Sequence, residues 1–353
     1  MKTLEQFTHK PESIPALTSW HLADLGEARG RQDLLKVQSP QKLEALREHA
    51  LVESAVSSNR IEGVTVDRRR IGTLIFGRPH LQNRDEEEVR GYRDALNLIH
   101  ERGSRLPINE QTVLRLHAMA RGRIWDAGKY KDKNIDIIQT YPDGRVRVRF
   151  KTVPAAETRK ALRRTLALWD DCLKERWVHP LIALAGFNLD FLCIHPFRDG
   201  NGRLSRLLLL LQLYHLGYEV GRYISIERLI EENKERYYET LEESSQGWHA
   251  GRHNPWPYIN YVLYILKAAY REFEERAEEI KSRRGAKTEL VHAAIEKRSG
   301  DFTLADLQEA CPDVSRDMIR RVLRELKKTQ VVGCTGRGPG AKWRRKGNTS
   351  KRG

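Results

Sequence analysis

Two strongly apolar segments, residues 180–194 and 204–216, flank a short glycine-containing bend that runs from His195 to Arg203. No other feature limits the possible folds as tightly. Each segment has the length of a helix and no clearly polar side, which is the pattern of a helix buried on all faces. The greasiest stretch, Leu207 to Leu216, is interrupted by Gln212 and His215. It falls well short of the roughly 20 apolar residues needed to cross a bilayer. Two buried rods therefore hold both ends of one tight loop.

The rest of the chain reads as mainly helical around that pair. At 353 residues it exceeds one ordinary core, and two or three domains are expected. Amphipathic spacing predicts helices over 40–62, with Gly63 as C-cap, and over 85–102, with acidic residues first and Gly103 just past the end. Another is expected over 108–121, where Asn109 is a candidate cap. The period then switches to two. Ile135 to Ile138 and Val146 to Phe150 flank the turn signal Tyr141-Pro-Asp-Gly144, predicting a β-hairpin. Helical spacing resumes over 155–175, 180–194, 204–216, 225–244 and 255–283, with 247–255 as a loop and Ser282 to Gly285 as a linker.

The formal net charge of +15 is unevenly placed. Residues 281–353 carry 19 Lys+Arg against 8 Asp+Glu, leaving 44 against 40 in the first 280. This basic end has short helical patterns at 287–298, 303–310 and 315–328, the last capped by Asp313 or Ser315. An alternating segment over 331–343 follows, with Gly336 to Gly340 at its centre. Three helices and a basic hairpin follow the plan of a winged helix-turn-helix. Arg316, Arg320, Arg321, Arg324, Lys327 and Lys328 lie on or near its third helix, and Arg337, Lys342, Arg344, Arg345 and Lys346 on the hairpin and tail. That placement suits DNA phosphates; a solvated basic helix used for protein contact is the equal alternative. The four cysteines (Cys172, Cys193, Cys311, Cys334) form no CxxC pair, which gives no sign of a disulfide framework or a zinc site. The N-terminal residues lack a signal-peptide core. A cytoplasmic setting with no membrane association is the expectation.

The bend holds an unusual set of chemical parts. His195 is a base able to take a proton near neutral pH. Asp199 is a hard oxygen ligand of the kind Mg²⁺ shares with phosphates. Gly200-Asn-Gly202 lets backbone amides converge at the start of a helix, where the dipole adds positive character. Arg203 and Arg206, three apart, share a helix face beside the same point. A base, a metal ligand, an anion nest and two guanidiniums together fit phosphoryl-type transfer. Singly, a His before Pro or a Gly-Asn-Gly turn is more often structural.

The whole string, His195-Pro-Phe-Arg-Asp-Gly-Asn-Gly-Arg203-Leu-Ser-Arg206, resembles the signature of the Fic family with every fixed position filled. The resemblance extends to Leu116-His117, the hairpin and Asn233-Lys-Glu-Arg-Tyr-Tyr238, covering most of 40–275. Leu192 departs from the acidic residue many relatives carry. What the resemblance implies is a mainly α Fic-type core with a β-hairpin flap, acting as a protein adenylyltransferase: AMP moves from ATP, with Mg²⁺, to a Ser, Thr or Tyr hydroxyl of a target protein. His195 would be the base and Asp199 the metal ligand, while Phe197 would anchor the loop. The amides of Gly200, Asn201 and Gly202 would form the anion hole, and Arg203 would meet the outer phosphates. The nucleotide site is expected to comprise Glu62, His195, Pro196, Phe197, Arg198, Asp199, Gly200, Asn201, Gly202, Arg203, Arg206 and Tyr237. Tyr237 is equally a core aromatic.

Ser58-Asn-Arg-Ile-Glu62-Gly63 resembles the family's inhibitory motif, here upstream of the core. The resemblance implies that Glu62 pairs with Arg206 and denies it to the γ-phosphate. An exposed helix-end glutamate is the plain alternative, although the dipole disfavours a lone carboxylate at that end. The expected division is a helical region with this motif (1–104), a catalytic core (105–245), an extension and linker (246–284) and a winged helix (285–353). Two other functions remain open, namely a DNA-binding regulator with a nucleotide-sensing core and a hydrolase that removes AMP. A homodimer that regulates the brake is compatible with the sequence.

Overall fold

The computed structural model describes residues 2–9, 13–38, 40–77, 80–140, 143–282, 286–298, 300–312, 314–336, 338 and 340–345. In chain order the elements are α1 (Lys2–Phe7), α2 (Ala16–Gln38), α3 (Pro40–Ile61), α4 (Arg68–Phe76), α5 (Arg84–Arg102), α6 (Glu110–Arg121), β1 (Asp136–Thr140) and β2 (Val146–Lys151). They continue with α7 (Ala155–Lys174), α8 (Pro180–Ile194), α9 (Asn201–His215), α10 (Ile226–Glu232), α11 (Lys234–Ser245) and α12 (Trp256–Ser282). Last come α13 (Ala286–Glu296), α14 (Leu304–Ala310), α15 (Arg316–Lys328), β3 (Val332–Thr335) and β4 (Lys342–Arg345). The protein is mainly helical, as the sequence suggested, with two small antiparallel hairpins. Among the described residues no helix is long and apolar enough to cross a membrane.

Two compact units divide the chain: residues 1–32 with 45–273, and residues 33–44 with 274–353. In the first, α8 starts at Pro180, whose missing N–H costs nothing at a helix start, and every residue from Leu181 to Ile194 is buried. Helix α9 packs on α8, and its polar links are as buried as its leucines. Asn188 Nδ2 donates to the Ser205 carbonyl (2.8 Å) and its Oδ1 accepts from Tyr258 (2.7 Å). Asp190 on α8 accepts the Thr3 and Leu4 amides at 2.9 and 3.0 Å, tying down the start of α1, and Trp248 Nε1 at 2.6 Å. Burying that carboxylate is tolerable because three donors replace its water.

Local chemistry sets the other boundaries. Asn109 caps α6 by accepting the Thr112 amide (2.9 Å), and Gly103 (φ 52°) ends α5. The helix after the bend starts at Asn201, ahead of the apolar run at 204 and within one residue of the helix start expected beside the Gly200–Gly202 nest. Gly200 (φ 79°) turns the chain there, so Gly202 and Arg203 sit in the first turn. The single helix expected over 225–244 is two. Asn233 breaks it (φ −114°, ψ 31°) by bonding its side-chain amide to the Leu229 carbonyl at 2.9 Å. The β1–β2 hairpin carries a bulge at Ile137/Ile138 and exposes Ile138, Val146 and Val148. Tyr141, Pro142 and the 283–285 part of the linker lie outside the described residues.

The second unit has its own core, in which Val291, Ile295, Phe302, Leu307, Ile319, Val322, Leu323 and Leu326 are buried together. Thr303 and Asp306 form a reciprocal capping box at α14, and Ser315 caps α15. Phe302 pairs with Trp343 through two backbone bonds (2.7 and 2.8 Å), adding a third short edge to β3–β4. Asp313, Arg337 and Lys346 lie outside the described residues.

Candidate active site

His195 ends α8 in the left-handed region (φ 52°, ψ 63°), with its amide bonded to the Phe191 carbonyl at 2.9 Å. A non-glycine residue there signals a position over-determined by its surroundings. Those surroundings are rigid. Phe197 is fully buried and stacks on His117, with ring centroids 3.7 Å apart. Asn201 and Phe197 exchange two bonds, amide to Oδ1 (3.0 Å) and Nδ2 to carbonyl (2.8 Å), closing the loop on itself. His117 Nδ1 accepts the Gly128 amide (2.9 Å), which leaves Nε2 to donate to the Asp199 carbonyl (3.0 Å). Burial pushes the His117 pKa down to about 4, keeping that tautomer neutral.

Lys131 completes the scaffold. Its Nζ donates to the Ile194 carbonyl (3.1 Å) and to Thr152 (2.7 Å), and its amide donates to the Pro196 carbonyl (3.0 Å). The ammonium thus sits at the negative end of the α8 dipole. Burial first, and this neighbouring cation second, push the His195 pKa down to about 4. Its Nδ1 is buried without a hydrogen bond of good geometry, and the ring stands neutral.

The two arginines of the first turns of α9 meet the end of α3. Arg206 Nε donates to Ser58 Oγ (2.8 Å), and its Nη2 donates to the Ser58 carbonyl (2.8 Å) and to Glu62 Oε1 (2.9 Å). Burial disfavours the Arg206 charge, yet Glu62 beside it holds the pKa above the usual guanidinium value. Gly63 (φ 83°) ends α3, and Lys234 Nζ bonds the Ile61 carbonyl (2.8 Å). Glu62 crowds the start of α9 so closely that a Cβ at Gly202 would overlap its Oε1. Arg206 Nη1 lies buried beside Gly202 with no hydrogen-bond partner.

Arg203 is held differently. Its Nη1 donates to Glu88 Oε2 (2.5 Å) and to Asn59 Oδ1 (3.0 Å). The other Glu88 oxygen accepts from Arg121 (2.7 Å) and Arg84 (3.1 Å). Arg121 also reaches Asp199 Oδ2 at 2.8 Å. Burial would raise the Asp199 pKa, but Arg121, Arg203 and the Gly200 amide bring it below the usual carboxylate value. Asp199 is therefore a charged, half-exposed oxygen donor. Among the described residues no group of three metal-ligating side chains exists. One carboxylate is enough for Mg²⁺ that arrives on phosphates.

A cavity of about 350 Å³ opens beside these groups. Glu62, His195 and Gly202 line it from the loop side, and Ile137, Phe150, Tyr237, Tyr238 and Leu241 line it together with the ion-paired Arg149 and Glu242. Of the expected site residues, Glu62, His195, Gly202 and Tyr237 line it. Pro196, Phe197, Gly200 and Asn201 build the loop behind. Asp199, Arg203 and Arg206 meet carboxylates or counter-cations around it. Arg198 points elsewhere, over Trp125 (5.0 Å) and to Asp132 (3.2 Å). Four residues that the sequence reading passed over also shape the site: Glu88, Arg121, Lys131 and Asn59. The signal for Glu88 was an acid on the apolar stripe of Tyr92, Ala95 and Ile99. For Arg121 it was a cation one turn beyond His117 on a buried face.

A glycine-containing loop between two buried helices, with His195 and Gly202 lining one pocket, sits at the centre of a mainly helical domain. Residues 107–213 match the Fic/DOC family, and the chain carries a Fic family domain there. Solved structures agree in fold. A Fic family protein from Desulfovibrio desulfuricans aligns at 24% identity over 97% of this chain and 99% of its own, with TM-score 0.63. A Fic domain-containing signaling protein from Bacteroides thetaiotaomicron aligns at 20% identity over 72% of this chain and 97% of its own, with TM-score 0.60. Fic-1 from C. elegans aligns at 20% identity over 76% and 74%, with TM-score 0.56.

Proposed function

We propose that the protein transfers AMP from ATP to a Ser, Thr or Tyr hydroxyl of another protein, and that Glu62 restrains this activity. One observation carries the proposal: neutral His195, the α9 start at Gly202 and the Glu62 carboxylate that holds Arg206 line one cavity together with Phe150, Tyr237 and Tyr238. That lining suits a nucleotide, with its base against Tyr237 and Tyr238 and its phosphates at the helix start.

In the reaction His195 removes the proton of the target hydroxyl. The hydroxyl oxygen bonds to the α-phosphorus, the bond from that phosphorus to the α–β bridging oxygen breaks, and pyrophosphate leaves. Asp199 would hold Mg²⁺, which when bound supplies charge neutralisation for the nucleotide phosphates. Arg203, buried and held by Glu88 and Asn59, would contribute positive charge beside the outer phosphates. The exposed β1–β2 hairpin offers backbone edges for an extended target segment.

Glu62 opposes this by occupying Arg206 and by placing a carboxylate where a terminal phosphate would lie. Incorporation of label from α-labelled ATP tests both parts. Glu62→Gly is expected to incorporate more than wild type, and a variant no more active than wild type sinks the brake. Release of AMP from a modified target, without incorporation, would instead support hydrolysis.

A further inference from the structure

We propose that the C-terminal unit binds duplex DNA through α15 and the β3–β4 hairpin, a binding activity separate from the nucleotide site. Helix α15 divides its side chains sharply. Ile319, Val322, Leu323 and Leu326 are spent on the unit's own core, while Arg316, Arg320, Arg321, Arg324, Lys327 and Lys328 are all exposed. Arg316, Arg320, Arg324 and Lys328 recur every four residues, a cationic row about 18 Å long at about 1.5 Å per residue. Among the described residues the only carboxylate paired to that row is Asp317, with Arg320 at 3.2 Å.

A groove of about 460 Å³ separates α15 from the hairpin, with Leu304, Leu323, Cys334 and Trp343 in its lining, Arg320, Arg324 and Lys327 along it, and Gly336 and Gly338 at the tip. Both glycines are left-handed (φ 91° and 80°), and a Cβ on Gly338 would meet nothing. The tip backbone is therefore open to a close-approaching anion. The hairpin adds exposed Lys342 and Arg345, and Arg344, which pairs with Asp301 at 2.6 Å.

The outer face of α15, as distinct from the partly apolar groove beside it, favours a polyanion over a protein. Protein interfaces rest on buried aromatic or aliphatic anchors inside a polar rim. The outer face of α15 offers no large apolar side chain, only cations with Asp317 and Glu325. Phosphates presented at about 3.4 Å per strand step are what such a row can engage several at a time.

The test uses the full chain and a fluorescein-labelled 24-base-pair duplex of mixed sequence, with anisotropy followed from 50 to 300 mM KCl. Binding is expected to weaken with salt with a log–log slope of about −4 or steeper, at about −0.9 per phosphate. Arg320→Ala/Arg324→Ala/Lys327→Ala is expected to bind at least about tenfold more weakly at 50 mM KCl, with a slope shallower by about 2 to 3. A circular-dichroism melt checks its fold, and Arg316→Ala/Lys328→Ala provides a second variant on the same row. No anisotropy change at 50 mM KCl, or unchanged binding by both variants, overturns the proposal. Equal affinity for a poly-glutamate peptide overturns it in favour of an acidic protein.

Discussion

Arginine is used in two opposite ways in this molecule. Around the His195 bend, Arg121, Arg203 and Arg206 are buried, and each is answered by a carboxylate within about 3 Å. On α15, Arg316, Arg321 and Arg324 stand in solvent with no carboxylate paired to them among the described residues. A buried guanidinium must have its counter-charge built in, because desolvation otherwise drives it out. Its geometry is thereby fixed before any ligand arrives, which suits transition-state charge. It also follows that the counter-charge can act as a restraint, as we propose for Glu62. A solvated guanidinium needs no partner and is worth little singly, so its use lies in numbers and depends on salt.

That contrast can be broken by substitution, and the largest effect is expected at its buried centre. Glu88→Ala leaves Arg121 and Arg203 partly uncompensated and should cost about 3–5 kcal/mol of stability. Chemical denaturation measures this, and a loss below about 1 kcal/mol would mean water replaces the carboxylate. His195→Ala, placed in the Glu62→Gly background, should reduce AMP transfer at least a hundredfold, in the range of about 10²–10⁴ for a general base. Steady-state incorporation at matched protein concentration checks it, and residual activity within tenfold would remove the imidazole from the proton transfer.

The pH profile sharpens the same point more gently. His195 must be neutral to accept a proton, and burial with Lys131 holds its pKa down to about 4. Transfer should therefore stay level as pH falls from 8 through 6, declining only as it approaches about 4. A loss centred near the ordinary histidine value would show a solvated ring. The smallest effect is expected on α15. Arg324→Ala removes an exposed side chain and should change stability by no more than about 0.5 kcal/mol. A thermal melt comparing it with Glu88→Ala measures the two uses of charge side by side.

Much of the architecture was legible because its signals are local. Helices α8 and α9 announce themselves by apolar residues on every face, α6 and α5 by Asn109 and Gly103, and the hairpin by a change of period. The loop was legible because its parts are contiguous. What could not be read depends on contacts distant in sequence. Glu88 meets Arg203 across 115 residues, and nothing near either one names the other. Helix α2 exposes Leu17, Trp20 and Leu34, so its apolar residues do not form one stripe, and α1 is too short for periodicity. The break at Asn233 rests on one side chain bonding back to its own helix, which spacing alone does not report. Glu62 and Arg206 were joined only by resemblance; the 2.9 Å contact gives that pairing a physical form.

We propose that the buried loop transfers AMP once Glu62 no longer holds Arg206. Intact-mass analysis of Glu62→Gly incubated with Mg·ATP addresses it directly. A species heavier by one AMP unit is expected, absent from the same protein carrying His195→Ala. A Glu62→Gly protein that binds ATP yet keeps its unmodified mass, alone and with proteins bearing accessible hydroxyls, would contradict it.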